Sequence, residues 1–105
     1  MDVQLKKGLL DICVLRCLSK ENSYGYKLIE DISKYIEISE STLYPILKRL
    51  EEGNFLETYE EEHNGRKRKY YRITDNGRKR LQEFKREYKK LQKVTKFILG
   101  GKDND

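Results

Sequence analysis

Apolar residues recur at three- and four-residue steps near the start of the chain. Leu5, Leu9, Ile12, Cys13 and Cys17 keep this rhythm and predict a helix over residues 3–18. From Leu9 to Leu15 the run is apolar nearly all round, so this helix is expected to be buried on more than one side. Residues 19–22 are a polar break. Ser23 is the expected N-cap of a second helix, Tyr24 to about Ser33, with Leu28, Ile29 and Ile32 on its apolar side. Ser39 or Ser41 caps a third helix that runs to about Glu52. Pro45 lacks a backbone donor and is tolerated best near a helix start, which favours Ser41. Gly53-Asn54 ends that helix.

The period then changes to two. Residues 55–61 and 67–73 read as strands on either side of a His63-Asn64-Gly65 turn. Side chains alternate along a strand, so Tyr71 and Ile73 are expected inward, Tyr70 and Arg72 outward. Thr74 caps a last helix from 75 to about 99, ended by Gly100-Gly101. The order helix, helix, helix, strand, strand, helix predicts a mainly α winged helix-turn-helix with a small β-hairpin. It divides into a winged-helix unit over 1–74, an added C-terminal helix over 75–99 and a disordered tail over 100–105.

Charge sharpens this picture. The 105 residues carry a formal +5, yet residues 1–62 hold 8 Lys and Arg against 13 Asp and Glu, and residues 63–105 hold 15 against 5. An acidic part joined to a basic one points to a polyanionic partner or to a solubilising surface. With 36% hydrophobic residues the core is small for a monomer, which favours burial against a second copy.

On the third helix, Leu43, Ile46, Leu47 and Leu50 fall within an arc of about 140° to 240° from Ser41 at 100° per residue. Ser41, Pro45, Lys48 and Glu52 occupy the opposite side, with Tyr44 and Arg49 on the flanks. A helix reading a DNA major groove needs this division, with short polar and basic groups in front. An ordinary amphipathic surface helix has it too. The hairpin carries Arg66, Lys67, Arg68, Lys69 and Arg72 beside an Asn-Gly tip, which suits the phosphate backbone or the minor groove. A charged edge that resists aggregation is the plainer alternative.

Three motifs stand in order: Tyr24-Gly25-Tyr26; Ser41-Thr42-Leu43-Tyr44-Pro45 with Leu47, Arg49, Leu50 and Glu51; and Gly65-Arg66-Lys67-Arg68-Lys69-Tyr70-Tyr71-Arg72-Ile73-Thr74. Together, over roughly residues 5–80, they resemble the PadR family of bacterial transcriptional regulators. The resemblance implies a cytoplasmic repressor that binds a near-palindromic double-stranded DNA operator as a homodimer. It implies DNA contacts from Ser41, Thr42, Tyr44, Pro45, Lys48, Arg49, Arg66, Lys67, Arg68, Lys69 and Tyr70. The family pattern often has Gly where this chain has Ser41, and an acidic residue then Gly where it has Gly53-Asn54. The chain carries one C-terminal helix, as in the short branch that includes multidrug-sensing regulators.

On that last helix, Leu81, Phe84, Tyr88, Leu91, Thr95 and Ile98 form a short heptad seam. With Leu5 and Leu9 of the first helix they are the expected dimer interface. By resemblance to the drug-sensing relatives, Phe84 and Tyr88 would border a slot for a small aromatic effector, with Tyr88 where those relatives have Trp. Residues 78–96 hold nine basic residues and two acidic ones. The rival reading is an interaction module whose basic helix binds a protein partner or an acidic surface, the winged helix being only a scaffold.

Nothing in the chain points to catalysis. The one histidine, His63, sits in a turn, and no phosphate-binding glycine loop or metal-spaced cysteine pair is present. No metal or cofactor is expected. Cys13 and Cys17 are one helical turn apart, read as buried free thiols in a reducing compartment, with a redox sensor as the alternative. No stretch is apolar enough to span a membrane and no secretory signal is seen, so no membrane partner is expected.

Overall fold

The computed structural model describes residues 1–101. Its elements are α1 (Val3–Lys20), α2 (Gly25–Ile32), α3 (Glu40–Glu52), β1 (Leu56–His63), β2 (Arg66–Ile73) and α4 (Asp75–Ile98). Three helices followed by an antiparallel hairpin form a winged helix, to which α4 is added. The expected tail falls partly outside the described residues, at 102–105. Gly100 and Gly101 themselves are a capping turn. Gly100 takes a φ of 80°, its N–H donates to Phe97 O, and the Gly101 N–H donates to Lys96 O.

One core joins every element. Leu10, Val14, Leu15 and Leu18 of α1 meet Leu28 and Ile32 of α2 and Leu43, Ile46, Leu47 and Leu50 of α3. Leu56, Tyr71 and Ile73 close it from the hairpin, and Leu81 from α4. Tyr71 and Ile73 point inward as alternation requires, and Arg72 points out. The face expected on α1 is covered only in part. Ile12 is buried in the core, Leu9, Cys13 and Cys17 are half-buried at its edge, and Leu5 is exposed. The thiols are free and only partly covered, not buried as expected. Apolar residues therefore extend around α1 beyond the part that the core covers, and Leu5 is left open.

Local chemistry sets the element ends. Asn64 and Gly65 have φ of 53° and 78°, the two positive angles of a type I′ turn. This fixes the register outward from His63↔Arg66 to Leu56↔Ile73. Asn54, at φ 63°, ends α3, and the Phe55 N–H donates to Leu50 O at 2.9 Å. The start of α3 differs from expectation. Ser39 is the N-cap and Glu40 the first helical residue, so Pro45 lies deeper than predicted. The carbonyl that Pro45 leaves without a helical donor belongs to Ser41, an exposed residue, so water can satisfy it. Ser23 is not the cap of α2 either; Tyr24 takes that place.

Thr74 ties three elements together. Its Oγ accepts from the Gly77 N–H at 3.0 Å, capping α4, and donates to Asn54 O at 2.7 Å beyond α3. Gly77 then packs against the Phe55 carbonyl, where a β-carbon has no room. Thr74→Ala removes both bonds, and we expect a loss of about 1–2 kcal/mol in urea unfolding at fixed protein concentration, with the slope unchanged.

Candidate nucleic-acid interface

The exposed side of α3 carries Ser41, Thr42, Tyr44, Pro45, Lys48 and Arg49. The buried Leu43, Ile46, Leu47 and Leu50 leave these side chains no other direction. At the start of the helix three hydroxyls cluster: Ser39 Oγ lies 3.0 Å from Ser41 Oγ and 3.2 Å from Thr42 Oγ1. Such groups donate or accept as a base edge or phosphate demands. Lys48 makes no ion pair among the described residues. Arg49 differs, since its guanidinium is held by Asp11 of α1 at 2.6 Å. That pair ties α3 to α1 and leaves Arg49 less free to contact DNA than expected.

Tyr44 is half-exposed and also structural. Its ring lies over Gly25 at the start of α2, so closely that a β-carbon there would overlap the phenol. The glycine of the Tyr24-Gly25-Tyr26 motif thus lets the tyrosine of the Ser41–Pro45 motif lie against the start of α2.

The hairpin joins this arrangement through the residue before. The Ser23 N–H donates to Tyr71 O at 3.2 Å and the Tyr71 N–H donates to Ser23 O at 2.7 Å, forming an isolated bridge. Tyr24 meets Tyr70 edge to face at 5.5 Å, and Tyr70 stacks on Tyr59 at 5.5 Å. The Arg68 guanidinium lies 4.1 Å over the Tyr24 ring, and that of Arg72 lies 4.8 Å over Tyr59. Asn22 donates to the Tyr59 hydroxyl at 3.0 Å. Arg68 and Tyr70 are therefore half-buried anchors of the wing. Arg66, Lys67 and Lys69 remain exposed near its tip.

Sequence reasoning missed Ser23, Tyr24 and Tyr59 as positioning residues. It also missed the acidic partners of the wing. The register sets Glu57 opposite Arg72, Glu60 opposite Lys69, Glu61 opposite Arg68 and Glu62 opposite Lys67. The Glu57–Arg72 pair closes to 2.9 Å. The Asn64-Gly65 turn alone would have given this register.

The expected dimer and ligand residues divide. Leu81 is 4% exposed and closes the core of its own chain, so it cannot serve a seam between copies. Phe84 is half-buried and stacks on Tyr88 at 6.2 Å. Tyr88, Leu91 and Ile98 are exposed, with Val94 and Phe97 beside them, and Thr95 is half-buried. Between α1, α2 and α4 runs an open groove of about 700 Å³ whose walls include Leu9, Cys13, Cys17, Tyr35 and Phe84. Burial pushes both thiols above their ordinary value, and Asp31 adds to the effect at Cys17. Among the described residues no group of side chains could hold a metal, and no helix is long and apolar enough to cross a membrane.

An exposed polar helix face beside an anchored β-hairpin defines a winged-helix nucleic-acid-binding protein. Comparison with known proteins narrows the class. The profile of the transcriptional regulator PadR-like family matches residues 14–83. A PadR-like transcriptional regulator from Bacillus cereus is 35% identical, with a TM-score of 0.83 over 94% of this chain and 99% of its own. The smu.1704 protein of Streptococcus mutans is 41% identical, with a TM-score of 0.80 over 92% of each chain. Transcriptional regulator Rv3488 of Mycobacterium tuberculosis is 28% identical over 102 residues, 96% of this chain and 92% of its own. The chain belongs to the PadR-like family of transcriptional regulators, and it is a DNA-binding regulator, not an enzyme.

Thiols whose ionisation is pushed up hold less thiolate at neutral pH and react slowly. Iodoacetamide should therefore modify Cys13 and Cys17 more slowly than a free cysteine peptide at pH 7, with the rate still rising as the pH passes 9. Complete modification at pH 7 at the peptide's rate would contradict this.

Proposed function

We propose that the chain is a repressor that binds a near-palindromic operator as a homodimer. In this reading α3 enters the major groove and the wing tip follows the adjacent backbone. The observation that carries the proposal is the strip of Ser41, Thr42, Pro45 and Lys48, exposed on the side of α3 opposite its buried stripe and linked to the wing through Tyr44, Gly25 and Tyr24. Ser41, Thr42 and Lys48 supply base and phosphate contacts. Arg66, Lys67 and Lys69 supply wing contacts, while Tyr44, Arg49, Arg68 and Tyr70 mainly position these elements.

The dimer is supported by apolar surface that the monomer leaves uncovered. Tyr88, Leu91, Val94 and Ile98 on α4 and Leu5 on α1 are exposed, with Leu9 half-buried beside them, and clustered apolar surface of this kind marks an interaction site. A small flat aromatic effector suits the groove beside the Phe84–Tyr88 stack. Its binding would act on the spacing of the two reading helices by acting on the interface that sets it. In this reading residues 1–74 form the DNA-binding unit and α4 the dimerisation element.

The test is binding to duplex from the region upstream of the chain's own gene. The unmodified protein should prefer that duplex to random sequence, with steep salt dependence. Lys48→Ala and Arg66→Ala should each weaken binding by about 1 kcal/mol or more, while sedimentation still reports a dimer. Equal affinity for upstream and random duplex rejects the operator-specific reading. Unchanged binding in both variants rejects the assignment of faces. Tyrosine fluorescence that no flat aromatic or cationic compound quenches rejects the effector.

A further inference from the structure

The distribution of charge in the folded chain differs from its distribution along the sequence. Residues 40–73, which hold α3 and the wing, contain seven Lys and Arg and seven Glu. Four of the wing's five cations stand directly opposite a glutamate. Cross-strand partners of opposite sign attract and cancel at a distance. The reading head is therefore electrically neutral. Residues 1–39 are neutral as well, with six of each sign. The surplus sits on α4, where Asp75–Ile98 holds nine Lys and Arg against three Asp and Glu.

These cations are not scattered around α4. At 100° per residue, eight of the nine fall within an arc of about 140°, and only Arg80 lies outside it. The arc lies roughly opposite the Leu81, Phe84, Tyr88, Leu91 stripe, so covering the apolar side leaves the cationic side open. From Arg78 to Lys96 it extends about 27 Å. Its side chains are exposed. Lys90 touches Glu87 at 3.7 Å, whereas Lys85, Arg86, Lys89, Lys93 and Lys96 form no ion pair among the described residues.

We infer that this face of α4 is a second, sequence-independent binding surface for the phosphate backbone of duplex DNA, separate from α3 and the wing. This rests on the reading of the chain as a duplex-binding regulator. Affinity for duplex depends on cations that displace its condensed counterions. A neutral reading head provides little of that long-range attraction, and α4 carries the unpaired charge that does. A duplex carries about one phosphate per 1.7 Å of axis with both strands counted, so a length of about 27 Å holds about 16 charges, and those on its near side face this stripe. An acidic lipid surface fits less well. A helix lying on a membrane inserts its apolar side, and here Leu81 and Phe84 of that side are committed to the chain's own core. The division lets α3 and the wing discriminate sequence while α4 holds the protein near DNA of any sequence.

The experiment compares the unmodified protein with a Lys85→Gln, Arg86→Gln, Lys89→Gln, Lys93→Gln variant on random duplex across a salt series. The expected result is at least a tenfold loss of affinity at low salt and a slope of log K against log salt shallower by about 2–4. Circular dichroism and sedimentation should match the parent. Acetylation of the unmodified protein gives a reading that needs no variant: random duplex should protect Lys85, Lys89 and Lys93. An unchanged slope, or protection confined to Lys48, Lys67 and Lys69, overturns the inference and leaves the regulator reading standing. Loss of these four cations that abolishes binding to vesicles containing phosphatidylserine but not to duplex also overturns it. Failure of the unmodified protein to bind any duplex rejects the regulator reading, and this inference with it.

Discussion

Ser23 exchanges two backbone hydrogen bonds with Tyr71, and the two residues that follow bind the rest of the reading head. Tyr24 holds the wing through Tyr70 and Arg68. Gly25 gives Tyr44 of α3 its seat. Three consecutive residues thus fix the hairpin and the reading helix to the start of α2. A two-stranded hairpin alone is marginal in water. The bridge and the aromatic stack turn it into a fixed feature of the molecule. The distance between wing and helix is then set by packing, which a DNA reader needs if both are to reach one duplex together.

The same hairpin shows how a basic sequence differs from a basic surface. Read linearly, residues 66–72 are a cationic cluster. Folded, they lie against Glu57, Glu60, Glu61 and Glu62. The guanidiniums of Arg68 and Arg72 are held over tyrosine rings. The wing cation with no glutamate opposite it is Arg66 at the tip, and the surplus of positive charge lies on α4. Apolar surface is divided in a similar way. α1 and α4 each use one side for the core and leave another uncovered, the condition under which a second copy becomes a structural partner.

Much of this was legible from sequence because it follows from short-range rules. The Asn64-Gly65 turn, the inward Tyr71 and Ile73, and the buried stripe of α3 each follow from period or from a residue's conformational preference. The Asn54 cap follows in the same way. What escaped depends on contacts far apart in sequence. A single-residue bridge at Ser23 has no periodicity to betray it, and a serine before a helix reads as a cap. Leu81 fits a heptad as well as it fits a core, and only the fold decides between them. Pro45 points to a start of α3 nearer Ser41 than the structure has it, because the penalty for an internal proline is smaller where the carbonyl it orphans belongs to an exposed residue. Of the residues expected to contact DNA, Ser41, Thr42, Pro45, Lys48, Arg66, Lys67 and Lys69 are exposed, while Tyr44, Arg49, Arg68 and Tyr70 are engaged within the protein.

The joint at Ser23 is tested most directly by native-state amide hydrogen exchange, which reports the free energy of opening at each bond. If Ser23 and Tyr71 lock the wing to the helical core, their amides exchange as slowly as those of Leu47 and Leu50. Their protection should then fall together with that of the core as denaturant is added. Exchange at Ser23 and Tyr71 that is orders of magnitude faster, while Leu47 and Leu50 stay protected, would mean that the wing opens by itself. The reading head would then not be a single rigid unit.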